Sequence, residues 1–346
     1  SHAFLRGLLK GTAMRLLSVL LALSFAPVVW AAIDGTVTNG TTSAAQASVS
    51  LILVKPGQQG MQTLGSTVSD AQGHFHFEKD QPGGGPQLIQ AQYEGVTYTT
   101  LLTPNMSTSA VDVRIYEATK SAAVAQIAQH MIVVEPSQSQ TAVHETVIVR
   151  NASTQTFYNP EWGGFQFFLP PAANGQVRIS VQGPGGMPLS RPAEKTPARD
   201  IFKVDYPIKP GETQFTIVYV LPVGSPLSLR GRIAAIPGQP TGPVRFVVPS
   251  GVSMDGADIR ALGQEPQTQA TIYDLLKPEG YAVNVTGTGA LTPASDDMSS
   301  DSDGTQIEEK NPPLYRYLPW LTGLALGILL VGLLLLFRSS PVEPAK

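Results

Sequence analysis

Apolar and polar residues alternate along two long parts of the chain, and this alternation predicts its secondary structure. Between residues 33 and 117, short runs such as 33–37 and 73–77 place an apolar side chain at every second position, with turn residues between the runs. Alternate side chains of a strand point to the same face, so the pattern is typical of β-strands with one buried side. We therefore expect a small antiparallel β-sandwich whose core includes Ile33, Val37, Val49, Leu51, Phe75, Phe77 and Tyr93.

A second part with the same kind of pattern extends from residue 130 to residue 287. Apolar segments predict strands at residues 131–134, 143–150, 165–169, 177–181, 201–206, 213–221, 227–236, 244–248, 270–276 and 281–285. Turn sequences such as Asn174-Gly175 and Pro210-Gly211 separate many of them. The pattern predicts a second β-sandwich, of immunoglobulin-like type. Residues 118–129, which are rich in alanine, are expected to form a linker or one helix.

Two continuous apolar segments lie near the ends of the sequence. Residues 318–337 carry no charge and, at about 1.5 Å per helical residue, span the roughly 30 Å hydrocarbon layer of a bilayer. Tyr315, Tyr317 and Trp320 mark one end of this segment, and Arg338 follows the other. These features predict one transmembrane helix, a short cytoplasmic tail at 338–346, and a location outside the cytoplasm for everything before the helix.

The apolar segment near the start has the features of a signal peptide. Met14 and Arg15 precede the apolar residues 16–29, and small residues follow at Ala31 and Ala32. We predict a signal peptide over residues 1–32, with Met14 as a possible start site. A retained N-terminal helix is the alternative. Together the two segments predict a single-pass, type I protein of the bacterial cytoplasmic membrane, with most of the chain in the periplasm or outside the cell.

Composition narrows the class of protein further. The formal net charge is −3 and the sequence has no basic block, which argues against a nucleic-acid partner. With 33 glycines, 29 prolines and 14% charged residues, the composition favours strands and turns. The absence of cysteine excludes disulfides and fits a bacterial extracytoplasmic protein. Residues 288–313 are acidic and poor in apolar residues, which predicts a disordered linker before the membrane.

One motif in the first part resembles a known family. Residues 69–77, with the sequence SDAQGHFHF, resemble the T/S-D-x-x-G-x-F-x-F signature of carboxypeptidase regulatory-like domains, and residues 33–37 resemble the opening strand of these domains. The resemblance covers residues 33–117 and implies a transthyretin-like β-sandwich that serves as a structural or interaction module, with no catalytic residue. In physical terms, Asp70 and Gly73 form the turn, while Phe75 and Phe77 point into the core. The expected fold class is thus all-β, with two tandem sandwiches and one C-terminal transmembrane helix.

The search for catalytic and metal-binding patterns gives no enzyme class and no cofactor. His74 and His76 share one strand face about 7 Å apart, a spacing that suits a metal. Because no third ligand is identifiable, we interpret them as solvated strand residues and predict no metal, although metal binding by this pair stays open. His144-Glu145 lacks the second histidine of a zinc-peptidase helix and is interpreted as structural. Nucleophile elbows, P-loops and dinucleotide fingerprints are all missing from the sequence.

Two features suggest binding. Residues 156–165, TFYNPEWGGF, contain four aromatic residues in a loop with proline and glycine, and Tyr158 and Trp162 are the candidate ligand-binding residues. The alternative is that these aromatic residues belong to the core. In the predicted membrane helix, Gly323 and Gly327 form a small-xxx-small pair that suits a homodimer contact, unless they reflect the ordinary glycine content of such helices.

The sequence therefore predicts a membrane-anchored interaction or scaffold protein of the bacterial cell envelope, without catalysis and with another envelope protein as its partner. The alternative from a different class is a glycan-binding module that uses the aromatic loop around Trp162. A third hypothesis is an enzyme whose site the motifs do not reveal.

Overall fold

The computed structural model describes residues 32–57, 60–78, 85–104, 106–224, 226–277 and 279–291. All of them belong to one compact unit, Ser1–Ala294. Nearly all of the predicted signal peptide, most of the acidic linker, the predicted membrane helix with Gly323 and Gly327, and the tail lie outside the described residues. Within those residues, no helix is long and apolar enough to span a membrane. They are all-β apart from two short 3-10 turns, Ala122–Val124 and Pro171–Ala173, which confirms the predicted all-β class for this part of the chain.

The first β region contains two sheets. Its strands are β1 (Ile33–Asn39), β2 (Ala44–Ala45), β3 (Ser50–Gly57), β4 (Gly60–Val68), β5 (His74–Phe77), β6 (Gln87–Tyr93), β7 (Val96–Leu102) and β8 (Val111–Ile115). One sheet has the order β2-β1-β5, with β8 parallel to β1 on its other edge, and the second sheet has the antiparallel order β4-β3-β6-β7. Inward side chains of both sheets form one buried cluster. Six of the seven predicted core residues are buried there, and Tyr93 packs against the cluster partly exposed.

The turn before β5 has the predicted structure. The Oδ1 atom of Asp70 accepts hydrogen bonds from the backbone N–H of Gln72 at 2.9 Å and of His74 at 2.8 Å. Gly73 has a φ of 78°, which is accessible to glycine without strain. Phe75 and Phe77 are both buried, with ring centroids 5.8 Å apart.

The second β region is larger. Its strands are β9 (Ala118–Thr119), β10 (Ala125–Pro136), β11 (Gln140–Asn151), β12 (Thr156–Phe157), β13 (Phe165–Phe168), β14 (Val177–Gln182), β15 (Leu189–Arg191), β16 (Glu194–Lys195), β17 (Ile201–Val204), β18 (Gly211–Pro222), β19 (Leu227–Arg232), β20 (Val244–Val248), β21 (Val252–Asp255), β22 (Ile259–Gln264), β23 (Thr271–Leu275) and β24 (Gly280–Gly287). The main sheet has the order β15-β14-β18-β11-β10-β20-β23-β22, and the smaller sheets are β13-β17-β16 and β19-β24-β21. A single buried cluster extends from Ala125 to Val285. Residues 118–129, expected as a linker or helix, contain β9, a 3-10 turn and the start of β10.

Hydrogen bonds connect the two β regions. Next to the pairing of β9 with β12 inside the second region, the backbone N–H of Thr156 donates to the carbonyl of Glu117 in the first region at 2.9 Å. The hydroxyl of Tyr98 donates to the backbone carbonyl of Tyr116 at 2.7 Å and lies 2.9 Å from Oγ1 of Thr156. The ammonium of Lys209 donates to the carbonyl of Thr97 at 2.6 Å, although the two residues are 112 positions apart. These contacts hold the outer face of the β4-β3-β6-β7 sheet next to the second region.

Candidate functional site: a cleft between two β regions

The aromatic loop predicted from the sequence is divided between the core and the surface. Phe157 and Phe165 are fully buried in the second region, and their rings offer no surface to a ligand. Tyr158 and Trp162 stay partly exposed, but Tyr158 packs against the core of the first region and Trp162 against that of the second. The four aromatic residues therefore do not share one stacking surface, and the prediction of a ligand-binding site here depends on Tyr158 and Trp162 alone.

Tyr158 lies in the wall of a cleft of about 460 Å³. One wall is the outer face of the β4-β3-β6-β7 sheet, because Leu88, Thr97 and Leu101 alternate with the inward side chains of β6 and β7. The opposite wall comes from the loop at residues 183–187, from β15, and from residues 205–209. Contacts between residues far apart in sequence thus form a concave site of the size that small ligands and peptide side chains occupy.

Apolar side chains are concentrated on both walls of the cleft. Among the described residues, ten large hydrophobic side chains are exposed, and four of them line this one cleft. Met61 is 50% exposed and Leu101 38% on one wall, while Met187 is 59% exposed and Leu189 47% on the other. Single exposed apolar residues are ordinary on protein surfaces, whereas four of them in one cleft make that cleft a candidate interaction site.

Three charged side chains face the same cleft: Lys209, Arg191 and Asp205. The Lys209 ammonium lies 5.0 Å from the ring centroid of Tyr98 and donates to the Thr97 carbonyl. Burial and, as a smaller cause, the positive charge of Arg191 lower the pKa of the Lys209 amine to about 8. A cation held in this way has been partly removed from water and shares the cleft with a second cation.

Arg191 and Asp205 complete the polar part of the wall. The guanidinium of Arg191 lies 5.5 Å from the ring centroid of Tyr206, within the distance of a cation–π contact. The Oδ1 atom of Asp205 is buried and has no hydrogen-bond partner among the described residues. Burial raises the pKa of Tyr206, so its hydroxyl stays protonated near neutral pH.

The glycine-rich loop at residues 183–186, which the sequence assigns to a loop, forms the rim of the cleft. The N–H of Gly186 donates to the carbonyl of Gly183 at 3.1 Å, which closes a tight turn. A Cβ atom at position 183 would come within 2.6 Å of the Tyr206 hydroxyl. The glycine therefore permits the close approach of the loop to Tyr206.

The histidine pair lies on β5, in the sheet β2-β1-β5, whereas the wall of the cleft belongs to the other sheet of the first region. His76 Nδ1 is 2.6 Å from Oδ1 of Asp34, and His74 Nδ1 is 3.8 Å from Oδ2 of Asp70, so each ring faces a different carboxylate. Within the part of the chain that the structure describes, no group of three or more histidine or acidic side chains is placed to hold a metal ion.

A buried polar cluster in the second region was not predicted from the sequence. His130 is 0% exposed and Glu145 5%, and His130 Nε2 lies 2.9 Å from Oε2 of Glu145. The Tyr219 hydroxyl donates to Oε1 of Glu145 at 2.8 Å, and burial raises the pKa of Tyr219. The sequence pattern could have indicated this cluster, because Glu145 is two positions from both Val143 and Val147 and therefore points to the same buried face of β11. The groups tie β10, β11 and β18 together in the core.

Comparisons with known proteins add little to this description. No protein-family model matches the chain, and no curated protein matches it. The chain is similar to a solved structure of an M1 zinc metallopeptidase from Deinococcus radiodurans, with 12% identity, a TM-score of 0.27, and coverage of 48% of this chain and 42% of that one. A variant of this peptidase bound to a Tyr-Ser-Ala substrate gives 12% identity, a TM-score of 0.27, and coverage of 48% and 43%. The chain thus spans less than half of these structures, and scores this low carry no argument about fold or activity.

Proposed function

We propose that this chain is a non-enzymatic interaction protein whose cleft between the two β regions takes up an apolar segment of a partner protein. The observation that carries the proposal is the gathering of four of the ten exposed large hydrophobic side chains in one cleft of about 460 Å³. Removing apolar surface from water contributes about 25 cal/mol per Å², so covering this patch would favour a complex.

The wider context of the proposal comes from the sequence. We keep as proposals a signal peptide, a membrane helix at residues 318–337 with a dimer contact at Gly323 and Gly327, and a place in the bacterial cell envelope. The assignment of the first β region as a carboxypeptidase regulatory-like sandwich and of the second as an immunoglobulin-like sandwich belongs here too. The two sheets around one core in the first region support the former assignment.

Site-specific photo-crosslinking tests the proposed interaction. A benzophenone amino acid is introduced at Leu189 in the full-length chain, and a matched control carries it at Leu262, which is 50% exposed on β22 and does not line the cleft. Irradiation of cells of the native host should give a discrete protein adduct from position 189 and none from position 262. A second substitution, Leu101→Asp on the opposite wall, should abolish the adduct. Equal adducts from both positions, or none from position 189, would count against the proposal.

The glycan-binding alternative retains one supporting observation. The rings of Tyr158 and Trp162 are both partly exposed, and aromatic faces of this kind stack on sugars. Because Tyr158 packs against the core of the first region and Trp162 against that of the second, the two rings are less suited to bind one sugar together. We therefore place this function second. The test is retention of the chain on polysaccharides and the loss of that retention in Trp162→Ala.

A further inference from the structure

The cleft contains two cations that form no ion pair with the Asp205 carboxylate in the same wall. Among the described residues, neither Arg191 nor Lys209 forms an ion pair, and each lies over the face of a tyrosine ring instead. Both cations line the same cleft, and the charge of Arg191 lowers the pKa of Lys209. An anion bound near both cations would relieve their repulsion. Its attraction to them would be stronger in the cleft than between the same charges in bulk water.

The same wall contains an acceptor without a donor. Oδ1 of Asp205 is buried and has no hydrogen-bond partner among the described residues. Buried polar atoms are nearly always hydrogen-bonded, so this oxygen offers an acceptor to a donor that enters the cleft, from water or from a ligand. A ligand with an N–H or O–H group as well as an anionic group therefore suits this cleft.

Strand β15 offers an open edge beside these groups. It is the last strand of the main sheet, and among the described residues it pairs only with β14. Leu189 and Arg191 are two positions apart on β15 and both line the cleft, whereas Ser190 between them does not. An added strand would place alternate side chains opposite Leu189 and Arg191, because side chains of a strand alternate between faces.

These features together select the class of ligand. A fatty acid would fill the apolar surface and supply a carboxylate, but it has no donor for Asp205 and no backbone for β15. A peptide strand supplies apolar side chains, a carboxylate and backbone N–H groups at once. We propose that the cleft binds an extended peptide segment with an apolar residue and an acidic residue two positions apart, the acidic side chain binding Arg191 and Lys209 and a backbone N–H binding Asp205. This inference rests on the proposed function and specifies the chemistry of the partner.

Selection from a displayed library of random nine-residue peptides on the purified full-length chain tests the inference. We expect enrichment of an apolar residue followed two positions later by Asp or Glu. Synthetic versions of a selected peptide are then compared by fluorescence anisotropy, with the acidic residue kept, replaced by Gln, or moved by one position. The acidic peptide should bind at least tenfold more tightly than the other two.

Variants of the chain separate the inference from the proposed function. Arg191→Gln should remove the preference for the acidic peptide over its Gln version, while Arg245→Gln, at an exposed arginine of β20, should leave it unchanged. Enrichment of apolar peptides without an acidic residue, with binding lost in Leu189→Ser, would overturn the inference and leave the proposed function standing. Failure to select any peptide would overturn both. Binding of dodecanoate that displaces the peptides and is lost in Leu189→Ser would replace the peptide by a lipid.

Discussion

Replacing Lys209 by methionine should change how the stability of this protein depends on pH. The ammonium of Lys209 is held between the Thr97 carbonyl at 2.6 Å and the Tyr98 ring at 5.0 Å, inside the cleft. Burial lowers its pKa from 10.5 to about 8, and the nearby charge of Arg191 contributes in the same direction. Methionine keeps an unbranched apolar side chain in this position but has no proton to release.

The sign of the effect follows from proton binding in the two states. In the unfolded chain Lys209 keeps its proton up to about pH 10.4, whereas in the folded protein it releases it near pH 8. Between these values the unfolded chain binds more protons, so the free energy of unfolding rises with pH. The gap from 10.5 to about 8 corresponds to at most about 3.5 kcal/mol at about 1.4 kcal/mol per pKa unit. Because the cleft is open to solvent and only part of this gap lies below pH 9.5, we expect a change of about 1–2 kcal/mol between pH 7 and pH 9.5.

Other titratable groups near the Lys209 amine also contribute to the pH dependence of stability, and their contribution must be distinguished from that of Lys209. Arg191, Asp205 and Tyr206 line the same wall of the cleft as Lys209, and the Tyr98 ring lies 5.0 Å from its ammonium. Burial raises the pKa of Tyr98 to about 12 and also raises that of Tyr206. The unfolded tyrosines therefore ionise first as the pH approaches 10, which lowers the stability of the wild type and the variant equally. The difference between the two proteins isolates Lys209.

Urea unfolding followed by tryptophan fluorescence measures that difference at pH 7, 8, 9 and 9.5. The wild type should gain stability relative to Lys209→Met as the pH rises. Lys195→Met provides the matched control, because Lys195 on β16 is exposed to solvent in the folded protein as well as in the unfolded chain. If the wild type and Lys209→Met keep a constant difference from pH 7 to 9.5, the amine is not buried in the cleft and the described geometry is wrong.

Further predictions concern the core and the aromatic loop. Gly164→Ala should destabilise the protein by about 1–3 kcal/mol, because a Cβ atom there would collide with the carbonyl of Tyr206, whereas Gly186→Ala, with room at ordinary contact distance, should cost less. Glu145→Leu should lower the free energy of unfolding by about 3 kcal/mol, since it leaves a buried histidine without its partner; a loss below about 1 kcal/mol would contradict the buried pair. If the glycan alternative is correct, affinity electrophoresis will show retention by a polysaccharide that Trp162→Ala abolishes; no retention across a broad panel would reject it.

The strands that the sequence predicts are mainly those with alternating apolar and polar residues, one face of which is buried. Each segment predicted in the second region overlaps an observed strand, because an alternating pattern needs only a sheet on one side and solvent on the other. Three of the missed strands lack this pattern. All side chains of β15 are exposed, and those of β4 and β22 are exposed or only partly buried, so neither face shows an apolar period. These three are edge strands, and because neither of their faces is consistently apolar, the alternation that predicts a strand is absent.

The cleft could be predicted from the sequence only in part. Tyr158 stands out in an aromatic loop, but its place beside Gly95 depends on the packing of two regions. Lys209 follows a buried isoleucine and precedes a Pro-Gly turn, and its sequence neighbours give no sign of the Thr97 carbonyl 112 positions away. Arg191 and Leu189 lie in a strand that the pattern does not show. Contacts of this kind depend on tertiary geometry, which local periodicity does not encode.

The joint between the regions holds the walls of the proposed binding cleft in place before any ligand arrives. The Tyr98 ring faces the first core, while its hydroxyl contacts Thr156 of the second region and its face supports Lys209. One side chain thus fixes the position of the apolar wall and of a cation that faces it. A site held in place before binding loses less conformational entropy when the ligand arrives, so a small contact area gives a useful affinity. The same coupling means that any shift at the joint would move the wall formed by the β4-β3-β6-β7 sheet away from the wall that carries Arg191 and Lys209, and the proposed selectivity for a ligand with apolar and acidic groups depends on keeping the two walls together.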